Sequence, residues 1–377
     1  MKSTRPANPS LFVNLFLTTL AVLLAGCAGP TILNIPGPPE SPSVAVKPPE
    51  PPIISPKPTP NPDADADVAP DITFDIFKAN AALKRGDYAG AVKLFRSELK
   101  DEQAKAESSW VQLSYLNNHL GLALHKVGQY DKALEYFQKA LAIRLKQLDP
   151  GHPEVAQSYN NIGMAHLNKG EYDKALEYFQ KSLAIQLKHL GPDHPDVANS
   201  YNNIGGVHDN KGEYDKALEY HQKSLAIKLK QLDPGHPEVA QSYNNIGLAH
   251  HNKGEYDKAL EYFRKALAIQ LKQLGPNHPG VANSYNNIGG VHDNKGEYDK
   301  ALEYHQKALA IRLKQLGPDH PDVATSYWGI GSAWRGNKDM AKAKGFIGKG
   351  HAILLKQQGP NHPDTKAIKA QLDALKE

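Results

Sequence analysis

One aromatic position constrains this chain more than any other feature. In the string Gly-x-Tyr-Asp-Lys-Ala-Leu-Glu-Tyr, the first tyrosine falls at Tyr130, Tyr172, Tyr214, Tyr256 and Tyr298, a step of 42 residues each time. One step back lies Tyr88 in a diverged copy, Asp87-Tyr88-Ala89-Gly90-Ala91. One step forward lies Met340, followed by Ala341-Lys342-Ala343. A fixed period of this size marks supersecondary units stacked in a row, each touching its neighbours and none owning a core alone. The 377 residues would otherwise argue for two globular domains. Here they read as one long array from about residue 71 to the C-terminus.

Residues 155–195 show what a unit is. Pro153 sits at a helix start, where its missing N–H costs nothing, and a first helix is expected over about Glu154–Lys169. Gly170 breaks it. Asp173 opens a second helix whose Leu176, Phe179, Leu183, Leu187 and Leu190 step by three and four, which draws one apolar stripe along a helix. Gly191-Pro192 stops it, and His194-Pro195 begins the next unit. The unit is a helical hairpin whose apolar face only its neighbours can cover. The end of the chain carries Ile368, Leu372 and Leu375 among charges, and a capping helix over about 362–376 is expected there.

These hairpins resemble the tetratricopeptide repeat, whose usual unit is about 34 residues. The longer period and the loop Gly191-Pro192-Asp193-His194-Pro195-Asp196-Val197-Ala198 are similar to the repeats of kinesin light chains, which bind cargo peptides. The resemblance spans residues 71–377 and is strongest in the five central copies. It implies an all-α, right-handed superhelical solenoid of about seven hairpins plus a C-terminal capping helix.

The copies also alternate. Phe137, Phe179 and Phe263 stand where His221 and His305 stand in other units, and Gly206-Val207-His208-Asp209 repeats as Gly290-Val291-His292-Asp293. Met164-Ala165-His166 and Leu248-Ala249-His250 occupy the same step in the units between them. The recently duplicated unit is therefore a pair of hairpins, and the groove should present the same chemistry at every second hairpin.

Projected at about 100° per residue, Tyr159, Ile162, Gly163 and His166 share one side of the first helix and should face its partner. Gln157, Asn160, Asn161, Met164, Leu167 and Asn168 share the other, the expected groove wall. The equivalent wall continues through Asn199, Asn202, Asn203, Gly206, Asp209 and Asn210. It then passes Asn244, Asn245 and Asn252, and ends with Asn286, Asn287, Asp293 and Asn294. An amide donates and accepts, so it can pair with a peptide main chain whatever its sequence. In kinesin light chains and in chaperone-binding tetratricopeptide proteins an Asn at this helix step touches the ligand. The resemblance places that contact on Asn161, Asn203, Asn245 and Asn287. The other use open to these amides is bonding neighbouring helices to one another. The cations that clamp a peptide C-terminus in the chaperone-binding proteins are missing from this wall. Asp209 and Asp293 favour a neutral to basic segment instead.

Histidine is abundant, with 17 copies, but periodic. His152, His194, His236, His278, His320 and His362 precede a proline; His166, His208, His250 and His292 fall on the buried side of the first helix. Equivalent residues on packed helices lie about 10 Å apart, and zinc needs bonds of about 2 Å, so these histidines read as structural and no metal is expected. No Gly-rich phosphate loop, nucleophile elbow or paired-carboxylate site stands out, which points away from an enzyme and from any cofactor. Without Lys2 and Arg5, 42 basic side chains face 40 acidic ones, too even a balance to gather nucleic acid.

Residues 1–26 read as an export signal: Lys2 and Arg5, an apolar run from Leu11 to Leu24, then small residues. Leu24-Ala25-Gly26-Cys27 resembles the lipobox of bacterial lipoproteins, which implies lipidation of Cys27, the chain's one cysteine. Ala28, where an Asp would hold such a protein at the inner membrane, implies the outer membrane facing the periplasm. Residues 27–70 are rich in proline, as in Pro56-Lys57-Pro58-Thr59-Pro60, and read as a disordered tether able to reach on the order of 100 Å. The sequence thus points to a lipid-anchored envelope scaffold that binds a protein or peptide segment. The alternative is a structural assembly factor for an envelope machine, acting through oligomerisation or its convex face.

Overall fold

The computed structural model describes residues 74–375. The leader, Cys27 and the proline-rich tract lie outside the described residues. Among the described residues fifteen α-helices and no strands are present. They are α1 (Phe74–Arg85), α2 (Tyr88–Gln103), α3 (Trp110–Lys126), α4 (Tyr130–Gln147), α5 (Pro153–Asn168), α6 (Tyr172–Leu190), α7 (Pro195–Asn210) and α8 (Tyr214–Gln231). There follow α9 (Pro237–Lys253), α10 (Tyr256–Leu274), α11 (Pro279–Asn294), α12 (Tyr298–Leu316), α13 (Pro321–Gly336), α14 (Met340–Gln358) and α15 (Pro363–Ala374). Each helix packs on those before and after it in the chain, and first helices of adjacent hairpins also touch, as α11 and α13 do. The result is an all-α solenoid of seven hairpins closed by α15. The helix bounds fall within two residues of the expected ones.

The punctuation has a physical cause at each end. Five first helices and the capping α15 open on a histidine whose ring Nδ1 accepts the N–H two residues on, followed by proline at the first helical position. An imidazole thus does what Ser or Asp usually does at an N-cap, satisfying one of the orphan donors of the first turn. Six of the seven hairpins turn at a glycine in the left-handed region, as Gly170 does with φ of +74°, and the last turns at Lys338 with φ of +64°, a conformation costly for a side chain.

Within a hairpin, close approach depends on a second glycine. A Cβ on Gly163 would stand 2.8 Å from the Phe179 ring, so the bare backbone is what lets α5 settle onto α6. Phe179, Ile162 and Ala175 are fully buried, and burial of a side chain such as Phe179 contributes about 1.5–3 kcal/mol. On the opposite flank Tyr159 and Tyr178 pair with ring centroids 6.0 Å apart, 40° from parallel, and Lys181 lies over both rings. α15 covers the last face, with Ile368 buried beside Val323, Ile347 and Leu354. Among the described residues no helix is long and apolar enough to cross a membrane.

Candidate functional site

The amides of the first helices form a ladder. Asn161 Nδ2 donates to Asn118 Oδ1 at 2.8 Å, Asn203 to Asn160 at 2.9 Å, Asn245 to Asn202 at 2.7 Å and Asn287 to Asn244 at 2.8 Å. Each rung crosses from one hairpin to the one before it, so α3, α5, α7, α9 and α11 are joined in a continuous row. The helix-bonding use of these amides is therefore real. It consumes half of each side chain. The Oδ1 of Asn161, Asn203 and Asn245 and the Nδ2 of Asn160, Asn202 and Asn244 take no partner among the described residues, and these six side chains are half-buried. One donor and one acceptor per rung remain for something else.

The other wall residues have varied surroundings. Gln157 and Asn199 are exposed near the starts of α5 and α7. Asn168 and Asn294 reach back to the preceding hairpin, to His125 Nε2 at 2.8 Å and His251 Nε2 at 2.6 Å, while Asn210 donates within its own helix to the Gly206 carbonyl at 2.8 Å. Asn252 is half-buried. Met164 packs with Leu167 against the Ile204 and Val207 cluster. Asn286 Oδ1 accepts from His305 Nδ1 at 3.0 Å.

The two aspartates are already occupied, differently. Asp209 Oδ2 accepts from His221 Nε2 at 2.9 Å, while His221 Nδ1 faces Asn202 Oδ1 at 3.2 Å. Asp293, its counterpart two hairpins on, instead accepts from Ser332 Oγ at 2.7 Å. The preceding pair has Leu248 where Ser332 stands, so a single hydroxyl draws the carboxylate away. Burial pushes the Asp293 carboxyl up. His305, left with an amide and no carboxylate, is pushed down to about 3 by burial and by the nearby Arg312.

A row of buried cations was not foreseen. Arg144, Lys228 and Arg312 are each 5% exposed and recur at every second hairpin, with Gln186 and Gln270 between them. Arg144 donates to the Glu154 carbonyl and to Ser158, both at 2.8 Å, and lies 3.1 Å from the Glu154 carboxylate. Lys228 lies 3.4 Å from Glu238. Arg312 donates to the Asp322 carbonyl, to Ser326 and to Asn283. Gln186 accepts from Ser200 at the same place in its hairpin. Burial lowers the pKa of all three cations. The alternation Arg, Gln, Lys, Gln, Arg was the available signal.

The first-helix histidines are buried, as expected. Each donates Nδ1–H to the glutamate of the following turn, at 2.7 Å for His166 and Glu171, and stacks on a second-helix tyrosine, Tyr178 for His166. Glu171, Glu213, Glu255 and Glu297 are held down to about 2, chiefly by hydrogen bonds from Lys169, Lys216, Lys253 and Lys300 respectively. Among the described residues no three His, Cys, Asp or Glu side chains group as a metal site.

The tetratricopeptide repeat profile matches residues 112–188, 156–230, 238–314 and 294–356, more than half of the chain. No curated protein matches it. Among solved structures, a tetratricopeptide repeat protein from Parabacteroides merdae is 15% identical with a TM-score of 0.55, covering 80% of this chain and 98% of that one. The apo form of RapI is 17% identical with a TM-score of 0.57, covering 80% of this chain and 79% of that one. Nearly identical TPR-like repeats assigned to a kinesin light chain of Podosopora anserina are 26% identical with a TM-score of 0.48, covering 55% of this chain and 98% of that one. The Parabacteroides merdae and RapI structures share the fold with this chain. Its repeats, read both by profile and by the stacking of seven hairpins, place it in one class: the chain belongs to the tetratricopeptide repeat family.

Proposed function

We propose that the chain is a non-catalytic scaffold that holds an extended, neutral to basic protein segment along the wall formed by its first helices. The observation that carries this reading is the half-used ladder. The two central rungs, Asn203 to Asn160 and Asn245 to Asn202, each spend one N–H and one C=O on holding helices together and leave one of each on half-buried side chains, the pair of groups that a polypeptide main chain complements at any sequence. The engaged state of Asp209 and Asp293 makes any basic preference weak. A tether from a lipidated Cys27 would set the reach of this wall from an outer membrane into the periplasm; the lipobox-like Leu24-Ala25-Gly26-Cys27 supports that placement.

The test leaves the ladder intact. Gln157 and Asn199 are exposed, so Gln157→Lys with Asn199→Lys adds charge of the sign that a neutral to basic segment disfavours, without touching a rung. Proteins recovered from an envelope extract on the tagged full chain should fall several-fold for the double variant at an unchanged melting temperature. Equal recovery of every partner by both chains ends the groove reading. Anchoring is tested separately: a clickable fatty acid should label the wild-type chain and not Cys27→Ser.

A further inference from the structure

We infer that the wall has two side-chain pockets, at Gly206 and Gly290, and that its occupant is an uncharged extended polypeptide segment with apolar side chains about six residues apart. This deepens the scaffold reading and rests on it. The same helical position carries Met164, Gly206, Leu248, Gly290 and Ser332 in successive first helices. A Cβ built on Gly206 would meet nothing within 4 Å, and one on Gly290 would meet only the His251 ring, at 3.9 Å. Both glycines lie mid-helix with ordinary φ, so no turn or left-handed backbone demands them. They contrast with Gly205 and Gly289, where the next helix fills the space at 2.8 Å.

The contacts at this position run backwards to the preceding first helix. Gly290 faces His251, and Ser332 reaches Asp293, each 39 residues earlier. By the same register Gly206 faces Leu167 and Leu248 faces Asp209. The spaces between α5 and α7 and between α9 and α11 are therefore open, whereas Leu248 and Ser332 occupy the spaces before α9 and α13.

A second observation points to an occupant. Asn287, one helical turn before Gly290 on the same face, is only 5% exposed. Its nitrogen is committed to Asn244, yet its carbonyl oxygen takes no hydrogen bond from any described residue. Asn203 stands in the same relation to Gly206. Each pocket thus has an acceptor at its lip, suited to a main-chain N–H.

The chemistry of the pockets sets what enters. Leu167 faces the first. His251 faces the second, kept neutral by burial that lowers it to about 4, with its Nε2 taken by Asn294. The carboxylates along this wall, Asp209 and Asp293, are turned onto His221 and Ser332. An uncharged wall with apolar pockets matches an uncharged segment with apolar side chains. Packed helices are about 10 Å apart, so pockets two hairpins apart are separated by about 20 Å, and an extended chain covers that in about six residues at about 3.3 Å each.

The probes are fluorescein-labelled peptides on a Ser/Asn host sequence, with leucines at i and i+6, at i and i+3, or at i alone, titrated by fluorescence anisotropy against the full chain. The i, i+6 peptide should bind at least tenfold tighter than the other two. Gly206→Met with Gly290→Leu installs the residues that the alternate hairpins already carry, and should abolish that preference while the chain melts no lower than the wild type. Equal affinity for all three peptides, or a preference that survives the filled variant, overturns the pockets. Loss of all three peptides on Gln157→Lys with Asn199→Lys would then still uphold the groove. No binding of any peptide to the wild type overturns both.

Discussion

Asn161 and Asn118 share one hydrogen bond across 43 residues of sequence, and their environments differ. Asn118 is 2% exposed and Asn161 is half-buried. Truncating Asn161 strands the Asn118 carbonyl away from water, and a buried polar group left unpaired costs about 1–3 kcal/mol. Asn161→Ala should therefore cost about that much in urea melts, and the double change with Asn118→Ala should cost clearly less than the two single costs together; additive costs would mean the rung carries no energy. Two neighbouring glycines give the opposite contrast. Gly163→Ala drives a methyl into the Phe179 ring and should destabilise by about 1–3 kcal/mol. Gly206→Ala meets open space and should stabilise by about 0.5–1 kcal/mol, because alanine is the better helix former. The residue scale is also where the sequence was least legible. Projecting one helix tells which face Asn161 occupies and not what lies opposite, so both uses of the amide stayed open until the pairing was seen. The buried cations escaped for a related reason: Arg144 and Lys228 sit in a run of exposed charges, and only their exchange with Gln at every second hairpin marks them.

Helix and turn were easier to read, because each boundary depends on one residue with one property: proline after histidine at the start, glycine with positive φ at the turn. The same elements set the response to acid. The four turn glutamates are held at about 2, against an ordinary 4.5, by lysine and histidine donors. A lowered pKa in the folded state means the unfolded chain takes up the proton first. Their contribution is complete above about pH 4.5 and fades as pH falls towards about 2. His305 gives a separate, higher window. Its folded value near 3 lies below the ordinary 6.5, so its contribution is complete above about 6.5 and declines from there as pH falls. His305→Phe, the residue that other hairpins carry at this step, should flatten melting temperature against pH between about 6.5 and 4 and leave the steeper loss below 4.5 in place. An unchanged slope in the upper window would contradict a neutral buried ring. The cation row yields a further swap. Lys228→Gln reproduces the Gln186 arrangement, with Ser242 standing where Ser200 does. It removes a buried charge whose desolvation offsets much of its pairing, so stability should hold or rise by about 1 kcal/mol.

At the scale of the molecule the hairpins interact almost entirely with their nearest neighbours, so stability should be close to a sum over units and interfaces. That alone would let any hairpin be excised. The pairwise alternation of the copies adds a phase. Deleting residues 195–278 joins His194 to Pro279, keeps the loop type and brings Gly290 against Leu167, as Gly206 was before. The shortened chain should fold, unfold in one transition and lose denaturant sensitivity in proportion to the surface removed. Deleting residues 195–236 instead joins His194 to Pro237, an equally good helix start, but sets Leu248 in the open space against Leu167 where a glycine had been. A leucine there has room and is the better helix former, so this chain, which also keeps more residues, should melt at least as high as the longer deletion. Leu248→Gly at the new junction should cost about 1 kcal/mol, the helix-propensity difference, whereas in the intact chain Leu248 is buried and the same change also costs packing. If Leu248→Gly harms both backgrounds equally, then the alternation is a record of duplication with no part in how the first helices fit together.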